Sequence, residues 1–223
     1  MTYPEFIINY IKHQKIGEPI YSARIAEQLA INFNIDLAKA NLAVAVVLKR
    51  LLEKNEKLNL RFYQNGIYYL TKRTSFGDFN INNEALIFNK YLANNKGYET
   101  GLNFMYRLGL TTQIPRNREF VTNAARNGTR YDKKLGVRIR PPKTKINDKN
   151  ILYFQLLDIV DCFNKAPLDV NNPYKIIADY IVKKQLAYNV LLAYADEYYG
   201  KDAILNLAHI AKEGGLYYEA TWE

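Results

Sequence analysis

Cysteine occurs once in these 223 residues and histidine twice. A single cysteine, Cys162, excludes an internal disulfide, and neither HExxH nor a CxxC pair is present to suggest zinc ligands. Walker and dinucleotide-binding glycine loops are absent too. No apolar run approaches the roughly 20 residues that cross a bilayer. The opening Met1-Thr2-Tyr3-Pro4-Glu5 lacks the basic segment and apolar stretch of a secretory signal. The expectation is a cytoplasmic chain with no membrane partner, no metal and no cofactor. Internal repeats and low-complexity segments are also missing.

Catalytic side chains are equally scarce. His13 falls in the first expected helix and His209 in the last, neither near a motif. Cys162 lies in an apolar helix beside Asp161, with no cationic neighbour in sequence to make it a thiolate. No catalytic residue is assigned, and the chain is not expected to be an enzyme.

What is present is apolar material for packed cores, 48% of residues, and positive charge, a net +9. The charge is uneven: residues 1–75 carry +5, residues 76–150 carry +8, and residues 151–223 carry −4. Phosphate or an acidic protein surface is the natural partner of the first two thirds. The nineteen tyrosines read as bulky residues tolerant of half-burial.

The stretch from Ile20 to Lys72 predicts a winged helix-turn-helix. Ser22 is placed as the N-cap of a helix whose Ile25, Ala26 and Leu29 share one face. A second helix starts near Asp36, with Ala40, Val44, Val47, Leu48 and Leu51 at amphipathic spacing. Its other face holds Ala38, Leu42, Ala45 and Lys49. From Leu58 the period changes to two, and Gln64-Asn65-Gly66 predicts a type I′ hairpin turn into Ile67-Tyr68-Tyr69-Leu70. A preceding helix from about Pro4, buried at Phe6, Ile7, Tyr10 and Ile11, completes the core. The DNA-binding candidates are Ser22, Arg24, Lys39, Asn41, Lys49, Arg50, Arg61, Asn65 and Lys72. Asn41 suits adenine, Lys49 suits guanine, and the apolar positions suit thymine methyls. Winged helices also occur in complexes that never touch DNA.

Beyond the aperiodic Lys72–Asp78 the sequence predicts a second domain. A helix from about Asn83 would bury Leu86, Ile87, Tyr91 and Phe88. Thr100 would cap a helix from Gly101 to Leu108 with Gly109 as its left-handed stop. Strands near Glu119–Thr122 and Leu135–Ile139 would pair. Helices follow over Ile151–Asn164, Pro173–Gln185, Ala187–Tyr199 and Asp202–Lys212, and then an apolar tail with Leu216, Tyr217, Tyr218 and Trp222 that packs back.

Between these elements lies a dense basic stretch: Arg116, Arg118, Arg126, Arg130, Lys133, Lys134, Arg138, Arg140, Lys143 and Lys145, against only Glu119 and Asp132. It reads as a solvated rim, a second nucleic-acid contact or a surface for an acidic protein. Glu119 with Asp132-Lys133-Lys134 also has the acid-then-lysine look of metal-dependent nucleases, a short pattern that arises readily by chance.

Two stretches together resemble a known family. Val44-x-x-Val47-Leu48-x-Arg50-Leu51, Leu58, Gly66-Ile67-Tyr68-Tyr69 and Thr74-Ser75-Phe76-Gly77 resemble the N-terminal winged helix of AbiEi-type antitoxins, from type IV toxin-antitoxin and abortive-infection systems. Gly97-Tyr98-Glu99-Thr100-Gly101, running into Leu108-Gly109-Leu110-Thr111-Thr112-Gln113-Ile114-Pro115, resembles the start of that family's C-terminal domain. The likeness extends loosely through Leu156-Leu157-Asp158 to Pro167. Asn55-Glu56-Lys57 stands where such winged helices commonly have a glycine. The resemblance implies a bacterial autorepressor that binds inverted repeats of double-stranded DNA in its own promoter and counteracts a nucleotidyltransferase toxin.

The expected fold is therefore α+β, a winged helix-turn-helix over residues 1–75 and a mainly helical C-terminal antitoxin or regulatory domain with a small β-sheet over 76–223. A plain winged-helix regulator without a toxin, and a DNA-processing nuclease, are the alternative readings.

Overall fold

The computed structural model describes residues 1–54 and 58–216. The expectations about Asn55-Glu56-Lys57 and about Tyr217, Tyr218 and Trp222 lie outside the described residues. Contacts divide the chain into two units, Met1–Leu86 and Ile87–Glu223.

Thr2 starts the first unit. Its hydroxyl accepts from the Glu5 N–H while the Glu5 carboxylate accepts from the Thr2 N–H, a capping box that opens α1 (Tyr3–Lys12). Ile7 and Ile11, four residues apart, are its buried side. Next come β1 (Ile20–Tyr21), α2 (Ser22–Phe33) and α3 (Leu37–Lys54). Asp36 caps α3, its carboxylate accepting from the Ala38 N–H at 2.8 Å. Ser22 does not cap α2. It is the first helical residue, because β1 feeds straight into the helix and the Ser22 N–H is taken by Gly66 O at 2.9 Å.

The strands β2 (Leu60–Gln64) and β3 (Ile67–Leu70) form a hairpin, and β1 pairs with β3 to give an antiparallel sheet of order β1-β3-β2. Its turn is not type I′: Gly66 takes φ +76° but Asn65 does not take positive φ, and a bulge between Phe62 and Gln64 adjusts the register instead. Ile7, Ile25, Leu29, Val44, Leu48, Leu60 and Leu70 close one core beneath the helices.

The first unit extends past the boundary expected near residue 75. A small hairpin of β4 (Arg73–Thr74) and β5 (Gly77–Asp78) folds back on it. The Thr71 hydroxyl donates to Phe79 O at 2.7 Å, the Asn82 N–H donates to Gly17 O at 2.8 Å, and Asn82 Nδ2 donates to Glu18 Oε1 at 2.9 Å. Gly17, at φ +81°, has no room for a Cβ beside the Phe79 ring.

The last residues of the first unit belong to α4 (Asn83–Ile87), and the second unit begins at its end with a π-helical turn, Phe88–Leu92. The wider turn buries Tyr91 with Ile87 and leaves Phe88 56% exposed, contrary to the burial expected of Phe88. Then come β6 (Gly97–Thr100), α5 (Gly101–Arg107), β7 (Arg118–Thr122), β8 (Arg130–Asp132) and β9 (Val137–Arg140). The sheet order is β6-β7-β9-β8, with β7 and β9 parallel. The helices α6 (Ile151–Val160), α7 (Pro173–Lys183), α8 (Tyr188–Tyr198) and α9 (Lys201–Gly214) complete the unit. Gly109 stops α5 in the left-handed region as expected, at φ +73°.

Both faces of this sheet are covered. Phe120, Val137 and Ile139 pack with Ile87 and Tyr91 on one face, while Tyr98 and Val121 pack with Phe154 of α6 on the other. The chain is thus a mixed α+β protein with small sheets. Among the described residues no helix is long and apolar enough to cross a membrane.

Candidate nucleic-acid interface

The amphipathic pattern of α3 turns Ala40, Val44, Val47 and Leu48 inward and leaves Lys39, Asn41, Lys49 and Arg50 exposed. Lys49 sits 4.0 Å from Glu53 with both side chains largely in water, a contact too weak to immobilise it. Between these polar groups three large apolar side chains, Leu37, Leu42 and Val46, are also exposed. Val46 belongs to this face by its four-residue step from Leu42, a spacing the sequence reading passed over.

The other candidates of the first unit are spread over α2 and the two hairpins. Arg24 is exposed and lies over the Tyr21 ring at 4.9 Å. Ser22 is half-buried beneath the hairpin turn, where Asn65 is exposed. Lys72 is exposed. Arg61 is paired with Asp78 at 3.0 Å, so the second hairpin partly neutralises the charge expected on the first. Phe62 is half exposed and Phe76 wholly so, the latter at the tip of the β4–β5 hairpin. Only its place in the turn Thr74-Ser75-Phe76-Gly77 hinted at that.

The basic stretch divides into two populations. Arg116, Arg126, Arg130, Lys133, Lys134, Lys143 and Lys145 are exposed, with Lys143 Nζ 4.2 Å above the Tyr199 ring. Arg118 and Arg140 are instead drawn into the fold, while Arg138 stays exposed. Arg118 Nε donates to Glu99 at 2.6 Å, and Arg107 donates to the other oxygen of the same buried carboxylate. Arg140 donates to Glu119 at 3.1 Å and to the buried Asp158 at 2.6 Å. Arg138 approaches Glu119 at 3.9 Å and stays more than half exposed. Alternation with the buried Val137 and Ile139 keeps Arg138 and Arg140 off the apolar face of β9, where Arg138 stays exposed and Arg140 is taken by Asp158 of α6.

Asp158 on α6 is the centre of a buried network, accepting from Arg140, from the Tyr98 hydroxyl at 2.8 Å and from the Tyr199 hydroxyl at 2.7 Å. Burial pushes its carboxyl up, against the guanidinium and both hydroxyls. Burial and the Asp158 charge push both tyrosine hydroxyls up. The network joins strand, helix and loop from positions 98 to 199, and no local sequence signal announces it.

Glu119 and Asp132 do not converge as the nuclease-like pattern requires. Strand β9 runs between theirs, and each carboxylate is engaged by cations of the fold. Asp132 accepts from Lys90 Nζ and the Tyr91 hydroxyl, both at 2.7 Å. Burial raises its carboxyl, but these two groups, the Leu135 N–H and the Lys90 charge outweigh it and hold the pKa at about 2. Among the described residues, no group of three or more His, Cys, Asp or Glu could hold a metal ion. Burial, then the charges of Asp161 and Asp158, push the Cys162 thiol up, away from the thiolate a nucleophile needs. His13 Nδ1 lies 2.7 Å from Asn9 O, and the His209 ring lies beside that of Tyr174 at 5.2 Å.

No protein-family model matches the chain, and no curated protein matches it.

Proposed function

We propose that the first unit is a winged helix that binds duplex DNA, and that the chain is an AbiEi-type antitoxin and autorepressor of its own operon. The observation that carries the DNA reading is the element order α1, β1, α2, α3, β2, β3 with sheet order β1-β3-β2. That is the arrangement in which α3 serves as recognition helix and the β2–β3 turn as wing. Exposed Asn41, Lys39, Lys49 and Arg50 supply hydrogen bonds, and Leu42 and Val46 supply apolar contact for thymine methyls.

The antitoxin part rests on the resemblance of Gly97–Gly101 and Leu108–Pro115 to that family, and its partner is a nucleotidyltransferase toxin. Structural demands account for two of those residues, since Gly97 has no room for a Cβ against the backbone of Val121 and Tyr91 and Gly109 sits at positive φ. The exposed cations Arg126, Arg130, Lys133 and Lys145 are the surface assigned to the toxin or to a second DNA contact. No catalytic step is assigned to the chain.

The experiment is fluorescence anisotropy with duplexes covering the protein's own promoter. With roughly four to six phosphate contacts, affinity falls about a hundredfold to a thousandfold between about 50 and 200 mM salt. Absence of binding at low salt removes the DNA reading. The antitoxin reading is removed if no nucleotidyltransferase gene lies beside this one, or if co-expression fails to rescue cells from the enzyme such a gene encodes.

A further inference from the structure

A row of three side chains facing one cavity marks a different site, wholly within the second unit. Thr100, Glu119 and Arg138 stand in one row across β6, β7 and β9, because the strand registers pair Thr100 with Glu119 and Glu119 with Arg138. That row lies in a cavity of about 380 Å³ whose walls include Asn103 and Met105 of α5, Pro115 and Asn117 before β7, and Cys162 and Lys165 after α6. Such a volume is at the small end of ligand pockets.

Thr100 is 2% exposed. It occupies the N-cap position of α5 without capping it, and among the described residues its hydroxyl makes no hydrogen bond. The hydroxyl opens on the cavity, since no enclosed side-chain oxygen or nitrogen among the described residues lacks a partner, and it is free to bond a ligand there.

The chemistry around it selects the ligand. Arg140 already holds the Glu119 carboxylate at 3.1 Å, which leaves Arg138, loosely placed at 3.9 Å, available to an anion. Lys165 is exposed and has no ion pair among the described residues. A guanidinium fork and an ammonium lining one cavity suit a phosphate group. Asn103 donates through Nδ2 to Glu99, leaving its Oδ1 as an acceptor, while Asn117 accepts from the Tyr131 hydroxyl through Oδ1, leaving its Nδ2 as a donor. A free acceptor and a free donor near the apolar Met105 and Pro115 complement a flat heteroaromatic ring whose edge carries both kinds of group.

We propose that this cavity binds a nucleoside 5′-monophosphate, either free or as the phosphorylated 5′ end of a strand. The phosphate lies on Arg138 and Lys165, the base lies against Met105 and Pro115 with its edge on Asn103 and Asn117, and the Thr100 hydroxyl bonds the ligand. The site stands independently of DNA binding by the first unit.

Cys162 is the only cysteine, is exposed and lines the cavity, so its alkylation reports occupancy. The full-length protein is titrated with AMP, GMP, CMP and UMP, with adenosine and inorganic phosphate as controls, and with a 5′-phosphorylated dinucleotide. Calorimetry and the rate of Cys162 alkylation by a maleimide are the readouts. At least one monophosphate protects Cys162 saturably and binds about tenfold or more tightly than its nucleoside or phosphate alone. Lys165→Gln and Arg138→Gln each weaken it about tenfold, and Lys165→Arg retains most of the affinity. Lys165 lies on the surface, so its variants remain informative if Arg138→Gln disturbs the sheet. Tighter binding of the dinucleotide assigns the strand end, and weaker binding assigns the free nucleotide. The proposal is overturned if no monophosphate protects up to about 5 mM, if inorganic phosphate protects as well as any nucleotide, or if Lys165→Gln leaves binding unchanged.

Discussion

Arg140 Nη2 on β9 stands 2.6 Å from Asp158 Oδ2 on α6, where the carboxylate is almost wholly enclosed. The contact turns a residue that the sequence offers as surface charge into a structural one. Removing the guanidinium leaves a buried carboxylate with only two hydroxyl donors, so Arg140→Leu destabilises the second unit by about 3 to 5 kcal/mol. The double variant Arg140→Leu with Asp158→Leu loses markedly less. Urea unfolding of both variants tests this, and equal losses would show that the pair is not the source of the cost.

Acid separates a second carboxylate. Asp132 is held at about 2, below the unfolded value near 4, so its stabilisation is present above about pH 4 and is lost as pH falls toward 2. Asp132→Asn removes that part of the acid limb and costs about 1 kcal/mol at neutral pH, the modest value set by a half-exposed Lys90. Denaturant midpoints measured from pH 2 to 7 give the comparison. An unchanged acid limb in the variant contradicts the assignment.

The end of the first unit is open to truncation. A fragment of residues 1–86 retains the Thr71–Phe79, Arg61–Asp78 and Glu18–Asn82 contacts, whereas a fragment of residues 1–75 loses all three. The shorter fragment should be less stable by about 2 kcal/mol, one net hydrogen bond being worth about 1 kcal/mol and the exposed ion pair less. Equal thermal midpoints would place the boundary nearer residue 75.

Within the proposed recognition surface the two kinds of contact separate. Asn41→Ala or Lys49→Ala reduces discrimination between promoter and random duplex by about 1 to 3 kcal/mol, while Lys72→Ala weakens both duplexes alike. Arg61→Ala has a smaller effect than Lys72→Ala, because Asp78 already engages that guanidinium. Anisotropy titrations on both duplexes decide it, and intact discrimination in the α3 variants moves sequence reading elsewhere.

Charge reversal tests the antitoxin surface without disturbing the buried pairs. Glutamate at Arg126, Arg130 and Lys133, all exposed, changes stability by no more than about 0.5 kcal/mol each. If these cations meet the toxin, the triple variant fails to rescue toxin-expressing cells yet still represses the promoter. Full rescue would pass the role to the acidic helices beyond Ile151.

Periodicity in the sequence by itself determined most of the helices and the β2–β3 hairpin, because the 3.6- and 2-residue repeats of Ile25-Ala26-Leu29, Val44-Val47-Leu48 and Ile67–Leu70 are local consequences of burying one face. It likewise determined the left-handed stop at Gly109 and the cap at Asp36, each decided within a few residues. The strand β6 escaped because all four of its residues are buried, which erases alternation. Ser22 is the first helical residue and not the cap, with its N–H donating to Gly66 O, more than forty positions away in the chain. The basic stretch was legible as composition, but which of its members are surface and which are structure was decided only when α6 covered one face of the sheet and carried Asp158 to Arg140. Charge is a property of residues, whereas its availability depends on which faces the tertiary fold leaves uncovered.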